Sequence, residues 1–339
     1  MKKLLNTLYV TNPDAYVRKQ DDAVNILVNN DVTMSIPFHV LEGMVLFGHV
    51  GCSTALLREC GAKGIAVALL DERGHFLARI QGPVSGNVLL RRAQFSKSGD
   101  CDYALEMAKR FVLGKLHNSR IALRRCIRDY GEDCDVAYAA DRLSDASGSV
   151  ARIESLDELR GVEGDAAHAY FGVFSHLIRV GDSSLLFRGR SRRPPQDPVN
   201  AMLSFYYSLL ARECGAACES VGLDPQVGFL HADRPGRLSL ALDLMEELRV
   251  PFVDRFVLSL FNRRQVADSD FEQIGDGVAL SDQARKKSLN AWQQRKQETV
   301  IHPFLKEKVP LGLVPFLQAQ LLARVLRGDL DDYPAFLWR

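Results

Sequence analysis

The sequence predicts an α+β protein in which a small N-terminal β domain, residues 1–90, precedes a larger C-terminal α-helical domain, residues 91–339. Three observations support this fold class. The chain has 339 residues, which exceeds the size at which a single hydrophobic core usually stops growing. Short apolar runs separated by turn residues fill the first 90 positions. Helical periodicity replaces them from about residue 95 onward.

The first domain is expected to consist of short strands joined by turns that are rich in Asn, Asp and Pro. The predicted strands are TLYVT, AYVRK, VNILVN, VTMSIP, IAVALLD and HFLARIQGP. One helix interrupts them, because STALLRECGAKG begins with a capping residue, Ser53, and ends with a glycine, Gly64. The segment ERG between the last two strands is predicted to form a turn.

The second domain is expected to be mostly helical because its apolar residues recur with the helical period. The segments with this pattern are residues 101–130, 155–178, 197–222, 238–264 and 311–328. Two loops interrupt the pattern. Residues 188–197 are basic and rich in proline, so we expect them to be exposed. Residues 265–287 have little periodicity, and a short hairpin fits there.

The composition, with 47% hydrophobic and 25% charged residues, is that of an ordinary globular protein. No apolar run reaches the roughly 18 residues of a membrane span, and no signal-peptide pattern follows Met1. We therefore expect a cytoplasmic protein with no membrane contact. The net charge of +1 means that nucleic-acid binding would depend on local basic clusters. The seven cysteines lack CxxC spacing, which argues against a disulfide framework or a structural zinc site.

Acidic residues interrupt the apolar helix within the stretch GFLHADRPGRLSLALDLMEELR, residues 228–249. At 100° per residue, Asp243 and Glu246 fall on one narrow stripe, shortly after a lone histidine, His231. One interpretation is a solvated stripe on a buried helix. The other is a site at which hard oxygen ligands converge on a divalent metal.

Glu163 is a second candidate ligand, since it lies between small and apolar residues in the helical segment RGVEGDAAHAYF. It is either a surface acid or a ligand that faces a cleft. Together with His231 and Glu246 it would provide one imidazole and two carboxylates. Such a set suits Mg²⁺ or Mn²⁺ in phosphoryl-transfer chemistry.

Clusters of arginine near these residues would suit a phosphodiester substrate, because one guanidinium group can donate two parallel hydrogen bonds to the oxygens of a phosphate. Each arginine taken alone is equally compatible with a solvated surface. The candidates for DNA binding are Arg188, Arg190, Arg192, Arg193, Arg234 and Arg237. The sequence contains no GxxxxGK[ST], GxSxG or HExxH motif, which argues against P-loop ATPase, α/β-hydrolase and HExxH metalloprotease chemistry.

Three separated segments, GVEG, RPPQDPVNAMLSFYYSLL and GFLHADRPGRLSLALDLMEELR, resemble the CRISPR-associated Cas1 endonuclease and integrase family in their order along the chain. The N-terminal stretch LFGHVGCSTALLRECGAKGIAVALLDERGHFLARI resembles the strand–helix–strand region of that family. The similarity covers essentially the whole chain. The closing segment IHPF…LVPFLQAQLLARVLRGDLDDYPAFLWR resembles the variant that accompanies type I-C systems.

The resemblance implies that Glu163, His231 and Glu246 are the catalytic metal ligands for Mg²⁺ or Mn²⁺. Asp243, one turn before Glu246, is the alternative acidic ligand. The implied reaction is a transesterification that joins the 3′-hydroxyl ends of short double-stranded DNA fragments to CRISPR repeat DNA.

The implied partners are a second copy of the chain bound through the N-terminal half, a Cas2 dimer and, for type I-C, a Cas4 nuclease. Two alternatives remain open: a stand-alone metal-dependent nuclease, and a non-catalytic DNA-binding scaffold that uses only the arginine clusters.

Overall fold

The computed structural model describes residues 6–71, 76–80, 82, 88–180 and 187–338. The predicted turn ERG, residues 72–74, lies outside them. N-terminal strands followed by a helical C-terminal region confirm the predicted α+β fold class. No helix among the described residues is long and apolar enough to cross a membrane.

The described residues form strands β1–β12 and helices α1–α10. The strands are β1 (Asn6–Val10), β2 (Ala15–Gln20), β3 (Ala23–Val28), β4 (Asp31–Pro37), β5 (Leu41–Phe47), β6 (Gly51–Cys52), β7 (Ala66–Leu70), β8 (Phe76–Ile80), β9 (Phe271–Ile274), β10 (Gly277–Leu280), β11 (Thr299–Ile301) and β12 (Lys308–Pro310). The helices are α1 (Thr54–Lys63), α2 (Val88–Ser98), α3 (Cys101–Tyr130), α4 (Cys134–Ser149), α5 (Leu156–Gly172), α6 (Pro198–Ser220), α7 (Ser239–Glu246), α8 (Arg255–Asn262), α9 (Asp282–Gln297) and α10 (Val314–Arg327).

The chain divides into two compact units. Unit 1 comprises Met1–Ser85 and Ser281–Glu298, and unit 2 comprises Gly86–Leu280 and Thr299–Arg339. Unit 1 therefore includes α9, although this helix lies late in the sequence.

Two four-stranded sheets form the framework of unit 1. The first has the strand order β1-β5-β7-β8, in which β5 runs parallel to β1 and β7, and β8 is antiparallel to β7. The second has the order β4-β3-β2-β6. Apolar side chains from both sheets and from α1 pack into one core. The helix α1 begins and ends where the sequence predicts, since the Ser53 hydroxyl accepts from the Leu56 N–H at 3.2 Å and Gly64 adopts a φ of 69°.

The 30-residue helix α3 runs through unit 2 and packs against α4, α5 and α7. It begins where Asp100 accepts hydrogen bonds from the N–H groups of Asp102 and Tyr103. After α7 the chain continues through a π-helical segment, Arg249–Asp254, into α8. The antiparallel pair β9–β10 is the hairpin expected in the weakly periodic stretch 265–287.

The C-terminal segment, Tyr333–Trp338, is anchored to α3 and to the residue that follows α7, Glu247. The Glu247 carboxylate accepts hydrogen bonds from the Tyr333 hydroxyl at 2.5 Å, the Gln318 amide at 2.8 Å and the Phe336 N–H at 2.6 Å. The Asn118 amide of α3 donates both to the Glu247 carbonyl at 2.6 Å and to the Phe336 carbonyl at 2.7 Å. These buried contacts fix the end of α7 against α3.

Gly114 of α3 lies where Glu247 approaches this helix. A Cβ at this position would lie 2.8 Å from Cβ of Glu247 and 3.2 Å from Cβ of Ala335. Contacts below 3.0 Å between carbon atoms require the backbone or the buried side chain to shift. The glycine is thus needed for packing, although its helical position would otherwise favour alanine.

We expect Gly114→Ala to destabilise the protein by about 1–3 kcal/mol, because overpacking outweighs the gain in helix propensity. The matched control is Gly161→Ala in α5, where a Cβ would meet no atom within 4 Å. This control should stabilise the protein by about 0.5–1 kcal/mol. Urea unfolding of both variants measures the difference, and equal stabilisation by both substitutions would contradict the close approach.

Candidate active site

The turn before α7 brings His231 next to the acids of that helix. Gly236 adopts a φ of 74°, which lets the chain reverse between His231 and the start of α7 at Ser239. Asp243 is fully buried, and Glu246 is only 3% exposed. A solvated stripe is therefore the wrong interpretation for these two carboxylates.

Asp243 is saturated with hydrogen bonds from the stretch that precedes the turn. Its Oδ2 accepts from the N–H of Phe229 at 2.6 Å and of Leu230 at 3.0 Å. Its Oδ1 accepts from the His231 N–H at 3.0 Å and lies 2.6 Å from Nδ1 of His231. Because both oxygens are engaged, this carboxylate positions the histidine and the backbone around it.

His231 is oriented by that contact. A hydrogen bond from Nδ1–H to Asp243 leaves Nε2 with the free lone pair that a metal requires. Nε2 lies 3.9 Å from Oε1 of Glu246. The imidazole is thus directed towards the second acid of the stripe.

Glu246 is a buried carboxylate that two cations stabilise. Arg249 donates to Oε1 at 2.9 Å, and Nζ of Lys115 lies 2.7 Å from Oε2. Burial by itself raises the pKa of Glu246. The charges of Arg249, Lys115 and His231 outweigh this effect and lower the pKa to about 2. The carboxylate therefore stays ionised at neutral pH.

Glu163 of α5 reaches the same ammonium group. Nζ of Lys115 donates to Oε1 of Glu163, so the lysine bridges Glu163 and Glu246. The helix α5 starts at a Ser155 cap that accepts from the Glu158 N–H, and this start places Glu163 two turns further along. The side chain of Glu163 is about a quarter exposed, whereas that of Lys115 is 13% exposed.

The arginine candidates differ in how accessible they are. Arg188, Arg192, Arg193 and Arg234 are exposed, and Arg237 is half-buried. The Arg190 guanidinium donates to Oδ1 of Asn200 at 2.7 Å and to Oγ of Ser204 at 3.1 Å. Arg190 is therefore committed to contacts within the protein.

Sequence reasoning missed Lys115 and Arg249. Lys115 has a detectable signal, because it is a lone cation among apolar residues in FVLGKLHNS. Arg249 lies three residues after Glu246, a spacing at which helical side chains meet. Its guanidinium also lies 4.9 Å from the ring of Tyr207, which buries the cation beside the acid.

A second cluster of possible metal ligands, also unpredicted, lies at the start of α4. Single ligand atoms of Asp133, Asp135 and His176 lie within 4.8 Å of one another. Asp133, however, caps α4 through the N–H groups of Asp135 and Val136 and lies 2.8 Å from Nδ1 of His176. Its oxygens are largely used by the protein itself.

Residues 8–294 match the family model of CRISPR associated protein Cas1. CRISPR-associated endonuclease Cas1 2 of Rhodospirillum rubrum is 53% identical, and the alignment covers 100% of both chains. A CRISPR-associated exonuclease Cas4/endonuclease Cas1 fusion of Geobacter sulfurreducens is 37% identical over 98% of this chain and 60% of its own length.

Two solved structures share the fold. A casposase bound to its integration product superimposes with a TM-score of 0.81 at 26% identity, over 99% of this chain and 93% of that one. A chain of a Cas6-RT-Cas1–Cas2 complex superimposes with a TM-score of 0.83 at 22% identity, over 100% of this chain and 36% of its own length.

We expect Asp243→Asn to lower the free energy of unfolding by about 1–3 kcal/mol, because an amide nitrogen would face N–H donors in a buried position. The ¹⁵N shifts of His231 should also show loss of the Nδ1-protonated tautomer. Asp233→Asn, an exposed change in the same turn, is the control and should alter neither measurement. Unchanged stability and an unchanged tautomer in Asp243→Asn would refute the positioning role.

Proposed function

Because the chain belongs to the CRISPR-associated Cas1 family, we propose that it is a divalent-metal-dependent DNA endonuclease and integrase of spacer acquisition. The family match over residues 8–294 and the 53% identity to a Cas1 endonuclease support the assignment. The fold shared with a casposase bound to its integration product is consistent with strand transfer. We retain the type I-C variant on the resemblance of the closing segment.

The observation that carries this proposal is the meeting of Glu163 and Glu246 at one cation, Lys115, with His231 directed towards Glu246. An ammonium held between two carboxylates marks a position that favours positive charge. The donor set of two carboxylates and one imidazole suits Mg²⁺ or Mn²⁺. The residues therefore fit the metal that the family implies.

In this assignment Glu163, His231 and Glu246 would hold the metal. Asp243 acts on His231, because its oxygens are already saturated by hydrogen bonds. The chemistry supplied by Mg²⁺ or Mn²⁺ at such a site is a lowered pKa for an attacking hydroxyl and stabilised charge on a phosphate. Arg249 keeps Glu246 ionised and in place.

The proposed reaction exchanges one phosphodiester for another. The 3′ oxygen of a DNA fragment forms a P–O bond at the edge of a repeat while the P–O bond to the repeat's own 3′ oxygen breaks. The attacking hydroxyl loses one proton, and the leaving 3′ oxygen gains one. No nucleotide is consumed, and water in place of the hydroxyl would give cleavage.

The exposed arginines Arg188, Arg192, Arg193 and Arg234, with Arg237, are proposed to bind the DNA backbone. Their guanidinium groups would form charge-assisted hydrogen bonds with phosphates. Arg190, whose donors contact Asn200 and Ser204, would instead support the loop from within.

We further propose that residues 1–90 form a dimerisation domain, residues 91–339 a catalytic domain, and that the homodimer joins a Cas2 dimer. Structural similarity to a chain of a Cas6-RT-Cas1–Cas2 complex supports this partner. A Cas4/Cas1 fusion among the relatives supports Cas4 as an additional partner.

Glu163→Gln, His231→Ala and Glu246→Gln should each lower Mn²⁺-dependent strand transfer at least about a hundredfold, because each removes one proposed ligand. Joined and cut DNA products are measured separately on gels, with and without Cas2. Asp165→Asn, an exposed acid two residues after Glu163, should retain activity.

Cut products without joined products would favour a stand-alone nuclease. Binding without any product, or activity that resists EDTA, would favour the non-catalytic scaffold or a metal-free mechanism. A Mn²⁺ peak in soaked crystals at Asp133 and His176 alone would move the metal to the second cluster.

Arg192→Ala and Arg193→Ala should weaken DNA binding uniformly across sequences and reduce the slope of log K against log salt by about one per arginine. Arg327→Ala, which removes a guanidinium already 2.7 Å from Asp329, is the control. Fluorescence anisotropy at several salt concentrations measures the slopes. Equal slopes in all three variants would argue against phosphate contacts at Arg192 and Arg193.

A further inference from the structure

Lys115 holds the position between the two acids of the site. Its ammonium contacts Oε1 of Glu163 and lies 2.7 Å from Oε2 of Glu246. The side chain is 13% exposed, so the protein covers most of it. The lysine is therefore a built-in cation for the two carboxylates.

Two cations already match the charges of Glu163 and Glu246 without a metal. Glu163 and Glu246 contribute two negative charges, while Lys115 and Arg249 contribute two positive charges. Asp243 is directed to His231 and to backbone N–H groups. A divalent cation added to this arrangement would place excess positive charge beside the Lys115 ammonium, and like charges at contact distance repel each other.

The two cations beside Glu246 differ in how easily their side chains can move away from its carboxylate. The Arg249 guanidinium lies 4.9 Å from the Tyr207 ring and donates to Oε1 of Glu246, which fixes it on two sides. Lys115 has a flexible four-carbon stem that ends in a compact ammonium group. Lys115 is thus the cation that can withdraw.

We propose that Lys115 is an intramolecular competitor of the metal: its ammonium and the divalent cation exclude each other at Glu163 and Glu246. The proposal rests on the proposed function, since it concerns the same metal site. A withdrawn ammonium remains beside that site, where it can pair with a DNA phosphate. Metal binding and DNA binding are thereby coupled through Lys115, and the coupling is reciprocal.

The test is a titration of the full-length protein with Mn²⁺, in which the EPR signal of free Mn²⁺ reports binding. Without DNA, Lys115→Gln should bind Mn²⁺ at least about tenfold more tightly than wild type, because the competing charge is gone. Lys115→Arg keeps a positive charge and should stay within about threefold of wild type. Adding a DNA fragment should increase the affinity of wild type more than that of Lys115→Gln.

The control is Lys109→Gln. Lys109 lies on the same helix, has a buried side chain and pairs with Glu106 at 2.7 Å, so its loss should leave Mn²⁺ affinity unchanged. Equal affinity of wild type and Lys115→Gln would overturn competition by Lys115. An equal effect of DNA on both proteins would overturn the coupling. Failure of wild type and all variants to bind Mn²⁺ would instead overturn the proposed metal-dependent function.

A wild-type crystal soaked in Mn²⁺ provides a measure that does not depend on the folding of any variant. Withdrawal of the Lys115 ammonium from Glu163 and Glu246 next to a bound ion supports the proposal. An ion bound while Lys115 still bridges both carboxylates overturns it.

Discussion

The burial of three carboxylates at the end of one short helix is the constraint on which the rest of unit 2 depends. Asp243, Glu246 and Glu247 are at most 3% exposed. An ionised carboxylate taken out of water costs several kcal/mol unless partners replace its hydration. Three such groups within five residues must therefore draw donors or cations from other parts of the chain. The packing around α7 supplies them from three different directions.

The three acids point in different directions around the helix, so each meets different partners. At 100° per residue, Glu246 and Glu247 point to either side of Asp243. Asp243 meets the backbone before the turn, Glu246 meets Lys115 of α3, and Glu247 meets the C-terminal segment. Burial raises the pKa of Glu247 to about 7, even though its hydrogen bonds lower it. Among the described residues no cation contacts Glu247 directly, so the neutral donors from Tyr333, Gln318 and Phe336 are what stabilise this acid.

Local sequence signals predict much of the fold and part of the candidate site. The serine cap and glycine stop locate α1, periodicity locates the long helices, and the spacing of Asp243 and Glu246 places them on one stripe. Lys115 could not be assigned in the same way, because its partner Glu163 lies 48 residues away. The environment of Glu247 is ambiguous for a related reason. Glu247 lies one residue beyond the stripe, and the sequence pattern is the same whether its side chain faces water or joins a buried hydrogen-bond network. Which side chains meet depends on helix packing that no local pattern encodes.

The type of partner also explains why we propose only one of the three acids as a metal ligand. Asp243 has both oxygens filled by N–H donors that cannot move without unfolding the turn. Glu247 is enclosed by Tyr333, Gln318 and Phe336. Glu246 alone is balanced by a cation on a flexible side chain and lies beside a second carboxylate, Glu163. Exchange of one cation for another would leave the fold intact there, whereas metal binding at either neighbouring acid would have to break the hydrogen bonds that hold α7 in place.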